Sequence, residues 1–128
     1  MKEDYVSFEV AKLLKEKGFA ETSNTIGTYN DKGEFYLYKH EKGYNHNHLT
    51  SWYSAPTLQM AMKWLREKHI IIAVTPLWFH ADGKCVGWAF NLWADDNLEV
   101  DAESHSYLLS TYEEACEAAI KYCLENLI

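Results

Sequence analysis

Apolar residues recur along this chain with two different periods. Val10, Ala11, Leu13 and Leu14 follow Ser7 at helical spacing and stop before Gly18, which predicts a first helix over 7–17. Ser7 is placed to accept a hydrogen bond from a free N–H of the first turn. Gly18 followed by Phe19 fits a left-handed residue past the helix end, with an apolar side chain folding back on the last turn. Lys12, Lys15 and Lys17 suit the negative end of the helix dipole.

The period then shortens. Residues 25–29 and 34–39 are rich in β-branched and aromatic types and flank Asn30-Asp31-Lys32-Gly33, a turn signal, so a β-hairpin is expected. Residues 41–53 are polar and read as a loop or an irregular edge strand. Pro56 is expected in the first turn of a second helix, whose buried stripe is Leu58, Ala61, Met62 and Leu65 and which ends near His69. The run 70–80 is strongly apolar with Pro76 inside it. A proline cannot donate to a ladder, so this strand must carry a bulge or lie at an edge there. After a turn at 81–84, Val86, Trp88, Phe90 and Leu92 alternate with Cys85, Gly87, Ala89 and Asn91, predicting one deeply buried face. An acidic loop over 95–106 leads to Ser110 or Thr111 as the cap of a last helix. Its stripe is Tyr112, Ala115, Cys116, Ala119, Ile120, Cys123, Leu124 and Leu127.

These elements predict an α+β fold in the order helix, hairpin, helix, hairpin, helix, with helices on one face of an antiparallel sheet and residues 1–128 forming a single domain. Each hairpin is followed by a loop and a helix opened by threonine, Thr57 or Thr111, which makes two pseudo-repeated ββα units the expected architecture.

Charge narrows the function classes. The formal net charge is −7, but residues 1–84 carry 11 Lys/Arg against 10 Asp/Glu, whereas residues 85–128 carry 9 acids and only Lys121. With one arginine, Arg66, and no basic cluster, direct binding of nucleic acid is disfavoured, because such binding begins with cations that displace counterions from phosphate. No apolar run reaches the ~20 residues of a membrane helix and the first residues lack a signal-peptide pattern, so a cytoplasmic protein is expected, without a membrane role. Cys85, Cys116 and Cys123 have no zinc spacing and are expected on core faces as reduced thiols.

Few residues suggest chemistry. His46 and His48, separated by one residue, could meet one metal ion from the same side of a strand, with a third ligand from His40, Glu41, His69, His80 or a carboxylate. His80 and Asp82 flank a hairpin tip, where turn formation accounts for Asp82. No nucleophile elbow, phosphate loop or dinucleotide fingerprint occurs, so no catalytic residue and no cofactor are assigned. Five tryptophans are many for 128 residues; Trp93, with parity opposite to Trp88, and Trp52 and Tyr53 at a loop end are the candidates for an exposed anchor, and Trp52, Trp78 and Trp93 for a small-ligand site.

Three segments, MKEDYVSFEVAKLLKEKG (1–18), SAPTLQMAMKWLRE (54–67) and TYEEACEAAIKYCLENLI (111–128), resemble small uncharacterised proteins of gut-bacterial phages, prophages and mobile elements. The resemblance covers all three helices and implies an accessory product acting inside a bacterial cell. It carries over no functional residue.

The resulting expectation is a non-catalytic protein-interaction module that could also form a homo-oligomer. Asp95, Asp96, Glu99, Asp101 and Glu103, with Trp52 and Trp93, would contact a basic protein partner. The alternative is a small metal-binding protein or metal-dependent hydrolase built on His46 and His48.

Overall fold

A computed structural model describes residues 4–23, 25–37, 43–79, 81–95, 98–100 and 108–128. The fold is α+β, with three helices and two small antiparallel sheets. Two compact units divide the chain, Met1–Ala61 and Met62–Ile128, and the boundary falls inside the second helix.

In the first unit, helix α1 spans Phe8–Glu16 and buries Val10, Ala11 and Leu14. Its start is set by Ser7, whose hydroxyl accepts from the Val10 N–H at 3.2 Å. Its end is set by Gly18, at φ +87°, which lets the Gly18 and Phe19 amides turn back to the carbonyls of Lys15 and Leu14 at 3.1 and 2.9 Å. Phe19 is thereby buried, as the sequence predicts.

Strands β1 (Gly27–Asn30), β2 (Phe35–Leu37) and β3 (Trp52–Ala55) follow, in the order β2-β1-β3. The hairpin turn is organised by Asn30, whose side-chain oxygen accepts the amides of Lys32 and Glu34 at 3.0 and 2.9 Å. The third strand lies at the end of the segment read as a loop. Its own four residues are apolar enough to pair with β1, but the polar run preceding them masks the pattern. On one face of this sheet the Phe8 ring of α1 meets Tyr29 and Tyr53 at 5.5 and 5.6 Å.

Helix α2 spans Leu58–Glu67, with the Thr57 hydroxyl accepting the Met60 N–H at 3.2 Å. Thr57 is therefore the cap, and Pro56 stands one residue before it rather than in the first turn. Pro56 is buried, and its carbonyl accepts the Val6 N–H at 3.0 Å. The predicted stripe, Leu58, Ala61, Met62 and Leu65, is buried, together with Trp64.

The second unit contains β4 (Ile70–Phe79), β5 (Lys84–Ala94) and β6 (Leu98–Val100) in the order β4-β5-β6, and α3 (Tyr112–Asn126), which packs on β4 and β5. The two-strand expectation is thus extended here as well. Leu98-Glu99-Val100 alternates like a strand, but lies within the acid-rich stretch read as a loop. Thr111 caps α3 by accepting the Glu114 N–H at 3.0 Å, and Ala115, Cys116, Ala119, Ile120, Cys123 and Leu124 are fully buried.

Alternation fails on β5 in two ways: Gly87 and Ala89, on the face expected to be exposed, are buried, and Val86, expected in the core, is not. Leu77 pairs with Gly87 and Trp78 with Cys85, so Val86 is the extra residue of a bulge and is 55% exposed instead of buried. Cys85 is likewise exposed, which corrects the expectation of a core cysteine, while Cys116 and Cys123 are buried.

Candidate functional site

The tryptophan and acid candidates of the second unit meet across its sheet. Trp93 on β5 stands opposite Ile71 on β4 and opposite Glu99 on β6. Alternation puts these three on one face with Ala73 and Leu77. The other face belongs to α3, since Trp88 makes an edge-on ring contact with Tyr112 at 5.5 Å. Ile71 is 41% exposed and Trp93 half-buried, so this end of the face opposite α3 presents apolar surface, whereas Gly87 and Ala89 on the same face are buried. At its far end Leu108, 67% exposed and held at φ +54°, lies over Gly87, where a Cβ would come within 3.2 Å of it. Sequence reasoning missed Leu108, because an apolar residue beside an acidic stretch has no periodicity to assign it. Asp95 follows β5 at φ +50° and is exposed. Asp96, Asp101 and Glu103 lie outside the described residues.

In the first unit the two candidates His46 and Trp52 also come together, for a reason unrelated to metal. Tyr36, Trp52, His46 and Tyr44 form a row of rings with successive centroid distances of 6.0, 6.3 and 4.7 Å. The row lies beside Thr28 and Ser54, both fully buried, on the sheet face opposite Phe8. His48 is exposed and lines a separate open cavity of about 440 Å³ with Lys15, Asn45 and Asn47. Among the described residues no group of three or more His, Cys, Asp or Glu side chains gathers as a metal ion would require. Of the proposed third ligands, His69 is exposed at the start of β4, and His40, Glu41 and His80 lie outside the described residues.

The residue between the two histidines carries the structure of this loop. Asn47 donates to the Phe19 carbonyl at 2.8 Å and accepts the Ser54 N–H at 2.7 Å, while the Ser54 hydroxyl accepts the His46 N–H at 2.6 Å. Asn45 donates to the Glu21 carbonyl, and Tyr44 to that of Ile26. Lys15 reaches from the last turn of α1 to the carbonyls of Leu49 and Trp52, at 2.5 and 2.9 Å, and lies over the Tyr53 ring. Lys15, Asn45 and Asn47, three of the polar groups around the cavity, are therefore committed to the fold, which weighs against a ligand site there.

The buried thiols are poor nucleophiles. Burial pushes the Cys123 thiol from 9.0 up to about 12, and burial likewise raises Cys116, so neither is a thiolate near neutral pH. No helix among the described residues is long and apolar enough to cross a membrane. No known protein family, curated protein or solved structure matches this chain.

Proposed function

We propose that this protein is a non-catalytic interaction module which binds a basic protein partner through the open face of the β4–β5–β6 sheet. The observation that carries the reading is the cross-strand row Ile71, Trp93, Glu99, an apolar anchor flanked by exposed aliphatic surface on one side and a carboxylate on the other. Aromatic residues with two stiff torsions give binding area at low entropic cost, and acids at the rim steer a cationic partner and fix its register. Asp95 continues the rim, and Asp96, Asp101 and Glu103 belong to the same acidic stretch. Trp52 is a second aromatic anchor, in the first unit.

The pseudo-repeated ββα architecture is part of the proposal. It is supported by Thr57 and Thr111, each of which follows an antiparallel sheet in sequence and caps a helix by accepting the amide three residues on. The setting implied by the resemblance, an accessory protein inside a bacterial cell, makes bacterial lysate the source of partners.

The test is a pull-down with the wild-type chain, Trp93→Ala and Glu99→Gln, matched for melting behaviour. A partner held at low salt, weakened as ionic strength rises and lost with Trp93→Ala supports the reading. Capture identical across all three proteins would overturn it.

A further inference from the structure

The turn between β4 and β5 holds a residue pair with chemistry of its own. Asp82 is the only Asp or Asn of the chain that precedes a glycine. An aspartyl side chain can close on the backbone, because the nitrogen of the next residue can reach its carboxyl carbon and the product is an unstrained five-membered imide. A side chain on that next residue obstructs the approach, and glycine removes the obstruction.

The local structure favours this closure. Asp82 and Gly83 are both exposed. A Cβ built on Gly83, which sits at φ +69°, meets no atom within 4 Å, so the turn has room to rearrange. The Asp82 Oδ1 accepts the Lys84 N–H at 3.0 Å. This bond folds the carboxyl group back along its own backbone, over the intervening Gly83 nitrogen, and draws electron density from the carbon that the nitrogen would attack.

Other side chains of this type are held differently. Asn30 donates to Glu34 and accepts the Lys32 and Glu34 amides. Asn45 donates to the Glu21 carbonyl and accepts the Asn47 N–H, while Asn47 is fixed between Phe19 and Ser54. Each of the three uses both its oxygen and its nitrogen, and each precedes a residue with a side chain, Asp31, His46 or His48.

We propose that Asp82–Gly83 is a modification site at which isoaspartate forms spontaneously in the folded chain. The Gly83 nitrogen bonds to the carboxyl carbon of Asp82 in its acid form, and the carboxyl hydroxyl leaves with the amide proton as water. Water then adds to one of the two carbonyls of the succinimide. Addition at the side-chain carbon, with cleavage of its bond to nitrogen, restores aspartate. Addition at the backbone carbon leaves the chain running through the side chain, which is isoaspartate. One water is lost and one regained, so no other reactant is needed. The product carries one more atom in the backbone of a turn that sets Phe79 opposite Lys84. This inference does not depend on the partner proposed for the open sheet face.

The test is to age the purified wild-type chain at neutral pH, folded and in urea, and to locate isoaspartate by electron-transfer fragmentation of its peptides. An isoaspartate-specific methyltransferase measures the total. Isoaspartate is expected at position 82 in the folded chain at a rate close to that in urea, whereas Asn30, Asn45 and Asn47 should yield it only in urea. Asp82→Glu, which would need a six-membered ring, should lose the signal. Asp82→Asn, which keeps the acceptor and releases ammonia instead of water, should raise it, with both variants matched to the wild type in melting behaviour. Isoaspartate at position 82 in urea but not in the folded chain would overturn the proposal. So would a total unchanged by Asp82→Glu, or equal formation at Asn45 or Asn47 in the folded chain.

Discussion

The ring of Phe35 occupies the space that a side chain at Gly27 would need: a Cβ built there lies 2.3 Å from the ring carbons Cε2 and Cζ. Gly27 belongs to the central strand β1, where glycine is a poor choice on propensity, and the aromatic ring on the neighbouring strand compensates by covering the bare backbone. The same ring touches Tyr5 and Tyr29, each at 5.2 Å between centroids.

Gly27→Ala should therefore push the Phe35 ring outward and separate it from the two tyrosines, at a cost of about 1–2 kcal/mol, since such aromatic pairs contribute on the order of 1 kcal/mol each. In a Phe35→Ala background the same change should be neutral or stabilising, because alanine is the better strand residue and the obstacle is gone. Urea unfolding of the two single variants and the double variant gives the coupling directly, and an additive cycle would contradict the contact.

Asn47 should be the most sensitive residue of the His46–His48 loop. Asn47→Ala leaves the Phe19 carbonyl and the Ser54 N–H without their partners, with an expected loss of about 1–3 kcal/mol. His48→Ala, at an exposed position, should change stability by less than about 0.5 kcal/mol. Equal losses in the two variants, measured by denaturant titration, would show that the loop is held by something other than Asn47.

This loop also shows how far sequence alone reached. The three helices were legible because caps and stripes are local signals: Ser7, Gly18, Thr57 and Thr111 each act within four residues. The role of Asn47 was not legible, since its two partners lie 28 and 7 residues away and nothing in His-Asn-His marks the central residue. Strand β3 was obscured because its partner β1 is distant in sequence and a polar run precedes it, and β6 because it is only three residues long within an acid-rich stretch. Of the candidate site, the register that joins Trp93 to Glu99 follows from pairing, whereas the burial of Val86 was misjudged because alternation cannot foresee a bulge.

Val86 and Ile120 provide a paired test of that burial. Ile120→Ala removes atoms from a fully buried site on α3 and should cost about 2–5 kcal/mol. Val86→Ala, at the bulge, should cost less than about 1 kcal/mol. If thermal or chemical unfolding shows the two losses to be similar, the bulge is misplaced and Val86 belongs to the core.

The thiols give the last prediction, with a sign fixed by burial. In the native chain at pH 8, alkylation should modify Cys85 alone, and Cys116 and Cys123 should react only after unfolding. The Cys123 thiol keeps its proton up to about 12 when folded, but ionises near 9.0 when the chain is unfolded. Between those values the folded state binds more protons, so stability falls as pH rises. The contribution is fully present below pH 9.0 and is lost progressively towards about 12. The informative quantity is the difference between the wild type and Cys123→Ala. The wild type should lose stability more steeply with pH above 9.0, by no more than one titrating proton allows, and Cys116→Ala should act in the same direction. Parallel curves for wild type and Cys123→Ala across that range would mean that the thiol ionises within the folded protein and that the α3 stripe is open to water.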